Sequence, residues 1–204
     1  NLYLSWQKYI NKDEKLLLFI FVFLNTNNIF ADDSFLPIIE GNKNAKVKLI
    51  IYESLTCSHC ANFHKDIYPE LKKEFIDKGK VNIEFRNFPL DLAALNAAKI
   101  AHCKNDGDSD ILHFLYFNQK TWTKGSNILE INKNLEKLII SSEFNLNFDN
   151  CINNKKMEDY ILEERIAGFK QYEIEATPTL IINDKKFNKT LNYKNLKKIL
   201  KKML

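Results

Sequence analysis

The sequence predicts an α/β fold in which a βαβ unit and a ββα ending enclose an all-helical insertion. Three observations carry this. An apolar, β-branched run, Val47 to Glu53, precedes apolar residues at helical spacing and then a period-two alternation, Val81 to Phe88. No convincing strand follows from Pro89 to about Tyr172. The chain then closes on a short apolar run, a turn signal and an amphipathic helix.

Taken in order, Asp32 to Lys46 is a polar lead-in with room for a short strand, and Val47 to Glu53 is the first clear strand. Phe63, Ile67, Leu71 and Phe75 mark a helix running to about Lys78, where Gly79 suits a C-cap and Pro69 predicts a kink. Val81, Ile83 and Phe85 share one face of the next strand. A helix between two such strands makes the pair parallel. The helical block reads as Asp91 to Lys104, Asp108 to Lys120, Ile128 to Ser141, Phe148 to Ile152 and Lys155 to Tyr172. Thr179 to Ile182 is a strand, Asn183-Asp184 a turn, Lys185 to Phe187 a returning strand, and Tyr193 to Leu204 the last helix.

The chain has 204 residues, 45% of them hydrophobic, enough for one domain with an insertion. Its net charge of +4 comes from well-mixed residues with no basic patch or stripe, so no nucleic-acid partner is expected. The lysines between Lys194 and Lys202 form the solvated face of an amphipathic helix. Residues 1–31 resemble a secretory signal: Lys8, Lys12 and Lys15, then an apolar core of about nine residues from Leu16 to Leu24, then Ala31 before a cut. That core is short of the roughly 20 residues that span a bilayer. The stretch reads as a cleaved signal, with an uncleaved N-terminal anchor or a buried helix as the alternatives, and a signal implies export.

An oxidising compartment suits four cysteines. Cys57 and Cys60 form a C-x-x-C where a strand gives way to a helix. Unpaired N–H groups and the helix dipole favour a thiolate at Cys57. Cys60, about one turn on, can attack a mixed disulfide on Cys57. Such a pair is redox-active, structural, or half of a zinc site. Cys103 and Cys151 lack the spacing to complete a zinc site, so no metal or cofactor is expected. They form a second disulfide or remain buried thiols.

At this point the chain resembles the DsbA-like thiol–disulfide oxidoreductases of the bacterial cell envelope. The resemblance rests on Ser54 to His64, Phe85 to Leu90, Ala94 to Cys103 and Glu175 to Asn183, in that order. It implies a thioredoxin fold in two parts, residues 32–89 and 173–204, around a helical insertion at 90–172. It also implies a thiol:disulfide oxidoreductase with Cys57 as nucleophile and Cys60 as resolving thiol. Pro178 is then the family's cis-proline, holding the Thr177 backbone beside Cys57 to pair with an extended substrate. His59, when cationic, would stabilise the Cys57 thiolate, and Ser58, in place of the more common Pro, would tune it. A bridge between Cys103 and Cys151 would clamp the insertion, as in some relatives. His64 reads as packing, and His102 and His113 as structural.

One position departs from the family. Relatives carry an acid six residues before the first cysteine, where this chain has Ile51. Glu53 shares a face with Ile51 in a strand and is expected to take over proton exchange near Cys60. The expected activity is a periplasmic oxidase that donates disulfides to reduced exported proteins and is reoxidised by a quinone-linked, DsbB-like membrane partner. Without a dimerisation segment, a monomer is expected. Disulfide isomerase or reductase, peptide-binding chaperone and metallochaperone are the alternatives.

Overall fold

The computed structural model describes residues 35–204; the signal-like stretch at 1–31 lies outside them. Five strands form one mixed sheet in the order β1-β3-β2-β4-β5. They are β1 (Ile38–Gly41), β2 (Val47–Glu53), β3 (Val81–Asn87), β4 (Thr179–Ile182) and β5 (Lys185–Lys186). β2 and β3 run parallel, in register from Val47 opposite Val81 to Glu53 opposite Asn87. β1 is antiparallel to β3, β4 to β2, and β5 to β4. Asn183 and Asp184 both have positive φ, 44° and 63°, which suits a tight two-residue hairpin.

Both faces of the sheet are covered, which explains why β2 reads as an almost unbroken apolar run. Val47, Leu49 and Ile51 enter the main core with Val81, Ile83 and Phe85. Tyr52 enters a smaller cluster with Phe88, Ile174 and Ile181. Each fully buried aliphatic side chain contributes about 1.5–3 kcal/mol by leaving water.

The helix after β2 is less regular than its spacing predicts. It comprises α1 (Ser58–Asn62), a π-helical segment (Phe63–Ile67), α2 (Tyr68–Leu71) and a second π-helical segment (Lys72–Ile76). Pro69 stands in the first turn of α2, where its missing N–H costs least. The wider turn before it makes room for the ring, so a bulge replaces the predicted simple kink.

The helical block contains α3 (Leu92–Ala101), α4 (Asp110–Phe117), α5 (Gln119–Trp122), α6 (Ile128–Ile140), α7 (Phe148–Ile152) and α8 (Lys155–Tyr172). The helix predicted over 108–120 is divided at Asn118. α9 (Tyr193–Met203) closes the chain, burying Leu196 and Leu200 and exposing Lys194, Lys198, Lys201 and Lys202, while half-buried Lys197 pairs with Glu74. The abundant asparagine has a local use. Asn127, Asn147, Asn154 and Asn192 each cap a helix by accepting a backbone N–H three residues on, worth about 1 kcal/mol apiece. A disulfide joins Cys103 after α3 to Cys151 in α7, with Cα atoms 5.4 Å apart.

Candidate active site

Cys57 is the N-cap of α1 and partly exposed; Cys60, one turn later, is buried, and both are free thiols. Three contacts hold the loop that presents them. Gln119 Nε2 donates to the carbonyls of Leu55 (2.8 Å) and Cys57 (3.0 Å). Thr56 donates to Asp91 at 2.8 Å, and Asp91 also caps α3 through Ala94 N–H. The Leu90 N–H donates to Ser54 Oγ. No local motif marks Gln119, and Asp91 figures in the sequence only as the start of a predicted helix.

The Thr177–Pro178 peptide is cis and brings the Thr177 carbonyl to 3.4 Å from Cys57 Sγ. The Thr177 hydroxyl is buried without a hydrogen-bond partner among the described groups, and Thr177 is one of the groups that lower the Cys57 pKa. A groove beside this point is lined by His59, Phe63, Ile67, Pro178, Leu191 and Tyr193. Ser58 and His59 are exposed. His59 contributes its backbone N–H to the Cys57 thiolate.

The two thiols are driven in opposite directions. The Cys60 thiol donating to Cys57 lowers the Cys57 pKa to about 5, helped against burial by Thr177 and the N–H groups of His59 and Cys60. Burial pushes Cys60 far up, with the Cys57 hydrogen bond and the Glu53 charge adding to it.

Glu53 ends β2 and is buried, on the same side of the strand as Ile51. Its Oε2 lies 2.8 Å from His64 Nε2, while its Oε1 has no partner among the described groups. His64 is therefore more than packing, although it does stack on Tyr116 with ring centroids 4.0 Å apart. His64 Nδ1 also meets His113 Nδ1 at 2.9 Å, and His113 Nε2 meets Glu40 Oε1 at 2.8 Å. His113 thus has the partners its sequence context did not suggest. His102 is 2.8 Å from Asn87 Nδ2. Asn87 in turn donates its backbone N–H and amide to Glu164, tying α8 to β3. Among the described residues, no group of three or more His, Cys, Asp or Glu side chains is set to hold a metal ion.

Comparison with known proteins gives the family. A family model described as Thioredoxin matches residues 36–202. A Rickettsia conorii protein described as a protein-disulfide oxidoreductase is 31% identical over 156 residues, covering 75% of this chain and 54% of that protein. The chain thus spans about half the length of the rickettsial relatives it matches. Disulfide bond formation protein D of Bacillus subtilis is 28% identical over 173 residues, covering 80% and 75%. The crystal structure of Wolbachia pipientis alpha-DsbA1 superimposes with a TM-score of 0.71 at 29% identity, covering 82% of this chain and 90% of that one. The chain belongs to the thioredoxin family, as a DsbA-like member of that superfamily.

Proposed function

We propose that this chain is a thiol:disulfide oxidoreductase that donates disulfides to reduced, exported proteins through a mixed disulfide on Cys57. The opposite displacement of the two thiols carries the reading. A pKa of about 5 makes Cys57 a thiolate at neutral pH and a good leaving group. Stabilising that thiolate stabilises the reduced enzyme, which makes the oxidised form a stronger oxidant.

The chemistry follows from the geometry. A substrate thiolate attacks Cys57 Sγ of the Cys57–Cys60 disulfide; the S–S bond breaks and Cys60 leaves with the electron pair. Cys60 takes up a proton, since burial and the Glu53 charge oppose its thiolate. A second substrate thiolate then attacks the substrate sulfur of the mixed disulfide, and Cys57 departs as thiolate. The substrate loses two electrons and two protons; the enzyme gains both electrons and one proton, and the other proton goes to water. The Thr177 backbone beside Cys57 offers an edge for an extended substrate segment, and Pro178 and Leu191 line the groove next to it.

The setting is the periplasm, with a DsbB-like, quinone-linked membrane protein as reoxidant and the chain acting as a monomer. The signal-like residues 1–31 support export. Among the described residues, no helix is long and apolar enough to cross a membrane. The deciding experiment measures the Cys57/Cys60 reduction potential against glutathione and compares refolding of a reduced test protein with that of a scrambled one. A potential well above that of the glutathione pool, with faster oxidation of the reduced protein, is the expected result. A strongly reducing potential, or activity on the scrambled protein alone, assigns the chain to reduction or isomerisation instead.

A further inference from the structure

We infer that Glu53, His64, His113 and Glu40 form a buried proton conduit serving Cys60, with its inner end at Glu53 and its outer end at Glu40 and His113. The inference rests on the reading that Cys60 alternates between thiol and disulfide.

The four groups come from four places in the chain: β2, the first π-helical segment, α4 and β1. They meet in three consecutive links of 2.8, 2.9 and 2.8 Å. His64 is wholly buried and the Glu53 side chain 3% exposed, whereas His113 and Glu40 are 13% and 15% exposed. One end therefore lies in the core with Cys60, and the other reaches water.

The donor inventory settles how many protons the chain holds. Each link needs one hydrogen, so three links need three protons. Two neutral imidazoles supply two; the third is an excess proton. That proton can reside on His113, on His64 or on Glu53 without losing a link, because moving it one place only reverses the sense of the hydrogen bonds behind it. With the excess proton on Glu53, both imidazoles are neutral and every link is intact. A string of groups that exchange one proton by local shifts is a proton wire, and both carboxylates lie at its ends.

The outer end is built to stay ionised. Burial opposes the Glu40 charge, but hydrogen bonds from His113, Ser109 and Tyr68 prevail and hold its carboxyl at about 2. The excess proton is thereby kept on the inner three groups. The other titratable groups facing the conduit are Cys60 and Tyr68 on the same helix, Tyr116 on α4, and Lys72, 3.7 Å from Glu40. The Tyr116 and Tyr68 phenols are both raised by burial and by neighbouring carboxylates, and so remain protonated.

In the reductive half of the cycle, the Cys57–Cys60 bond breaks and Cys60 leaves with the electron pair. With the excess proton on His113, taken from water at the exposed end, the His64 Nε2 proton passes through Glu53 to Cys60 Sγ while the His113 Nδ1 proton moves onto His64 Nδ1. The excess proton is thereby spent on Cys60, and both imidazoles are left neutral. Reoxidation runs the same shifts backwards: Glu53 accepts the Cys60 proton as Cys60 attacks the mixed disulfide. A purely structural cluster would satisfy the same hydrogen bonds but would leave no trace in proton-transfer kinetics.

The test follows single-turnover reduction of the Cys57–Cys60 disulfide by dithiothreitol in mixtures of light and heavy water. The unaltered protein is expected to show a solvent isotope effect with a curved dependence on deuterium fraction, the mark of several protons in motion. His113→Ala is expected to slow the step at least about tenfold, to straighten that dependence, and to recover with added imidazole. A linear dependence or no isotope effect in the unaltered protein overturns the inference. So does an unchanged His113→Ala rate, or a slowed rate that imidazole does not restore. Should His113→Ala fail to fold, the isotope measurement on the unaltered protein decides alone. A protein that reacts with dithiothreitol yet leaves reduced proteins unoxidised overturns the donor reading and not the conduit.

Discussion

Glu53 Oε2 and His64 Nε2 lie 2.8 Å apart, and both side chains are almost wholly removed from water. Breaking such a pair from one side leaves a buried carboxylate without its partner, which costs about 3–5 kcal/mol. His64→Leu is expected to lower stability by that amount at neutral pH, read as the shift in the urea midpoint at constant slope.

Glu53→Gln keeps an oxygen for His64 but removes both the charge and the proton acceptor. Dithiol oxidation is expected to slow about 100-fold at neutral pH. The Cys60 pKa is expected to fall, because the carboxylate charge contributes to its rise. Rapid alkylation of Cys60 across pH, compared with the unaltered protein, checks both. An unchanged pH profile removes Glu53 from the proton exchange.

Some of this was legible in the sequence, for a physical reason. Cys57, Cys60 and the strand–helix junction are neighbours along the chain, and local spacing reports local geometry. Thr177-Pro178 is remote in sequence from Cys57, yet its place before the ββα ending locates it. The partners of His64 are another matter. The links from His64 to Glu53, from His64 to His113 and from His113 to Glu40 span 11, 49 and 73 residues. A lone histidine on a helix carries no mark of what will face it. Gln119 is similar: it lies 64 residues from Leu55, and only the packing of α5 against the active-site loop reveals its use. The π-helical segments also escape periodicity, because one extra residue per turn shifts a face without removing its apolar character.

Cys57 gives a pH dependence whose sign can be worked out. Its folded value is about 5 against an ordinary value of 9, so the folded reduced protein binds fewer protons than the unfolded one between these limits. The stabilisation is fully present above pH 9 and is lost as pH falls towards about 5. Cys60 stays a thiol in the folded protein throughout that window and adds slope, of the opposite sign, only at its upper edge, where the unfolded thiol begins to ionise. Thermal unfolding of the reduced protein is therefore expected to lose midpoint relative to the oxidised protein as pH is lowered from 9 to 5. Ultraviolet absorbance of the thiolate should vanish with a midpoint near 5, and Thr177→Val should move that midpoint up.

The Cys103–Cys151 bridge closes a loop of 48 residues within the helical block. In the chain-entropy account such a cross-link is worth about 4 kcal/mol. Replacing both cysteines by alanine is expected to lower the stability of the oxidised protein by up to that amount. Neither sulfur touches the Cys57–Cys60 pair in the chain of contacts that sets their pKa values, so the thiolate titration should stay in place. Parallel urea melts and thiolate titrations separate the two effects.

Gly168 shows how closely the helical block is pressed onto the strand that carries Glu53. A Cβ at Gly168 would lie 2.5 Å from Cε1 and 2.9 Å from Cδ1 of Tyr52, the residue just before Glu53. Tyr52 cannot swing aside cheaply: it is wholly buried, and its hydroxyl accepts from Arg86 at 3.0 Å. On helix propensity alone, Gly168→Ala would gain up to about 1 kcal/mol. Overpacking a filled core costs about 1–3 kcal/mol, so the steric effect prevails and α8 must lift from β2. The variant is expected to lose about 1 kcal/mol net. Because Tyr52 and Glu53 are consecutive, the displacement should also disturb the Glu53–His64 link. The measurement is the urea midpoint together with the rate of Cys60 oxidation. A more stable Gly168→Ala protein would show that α8 has slack against the sheet.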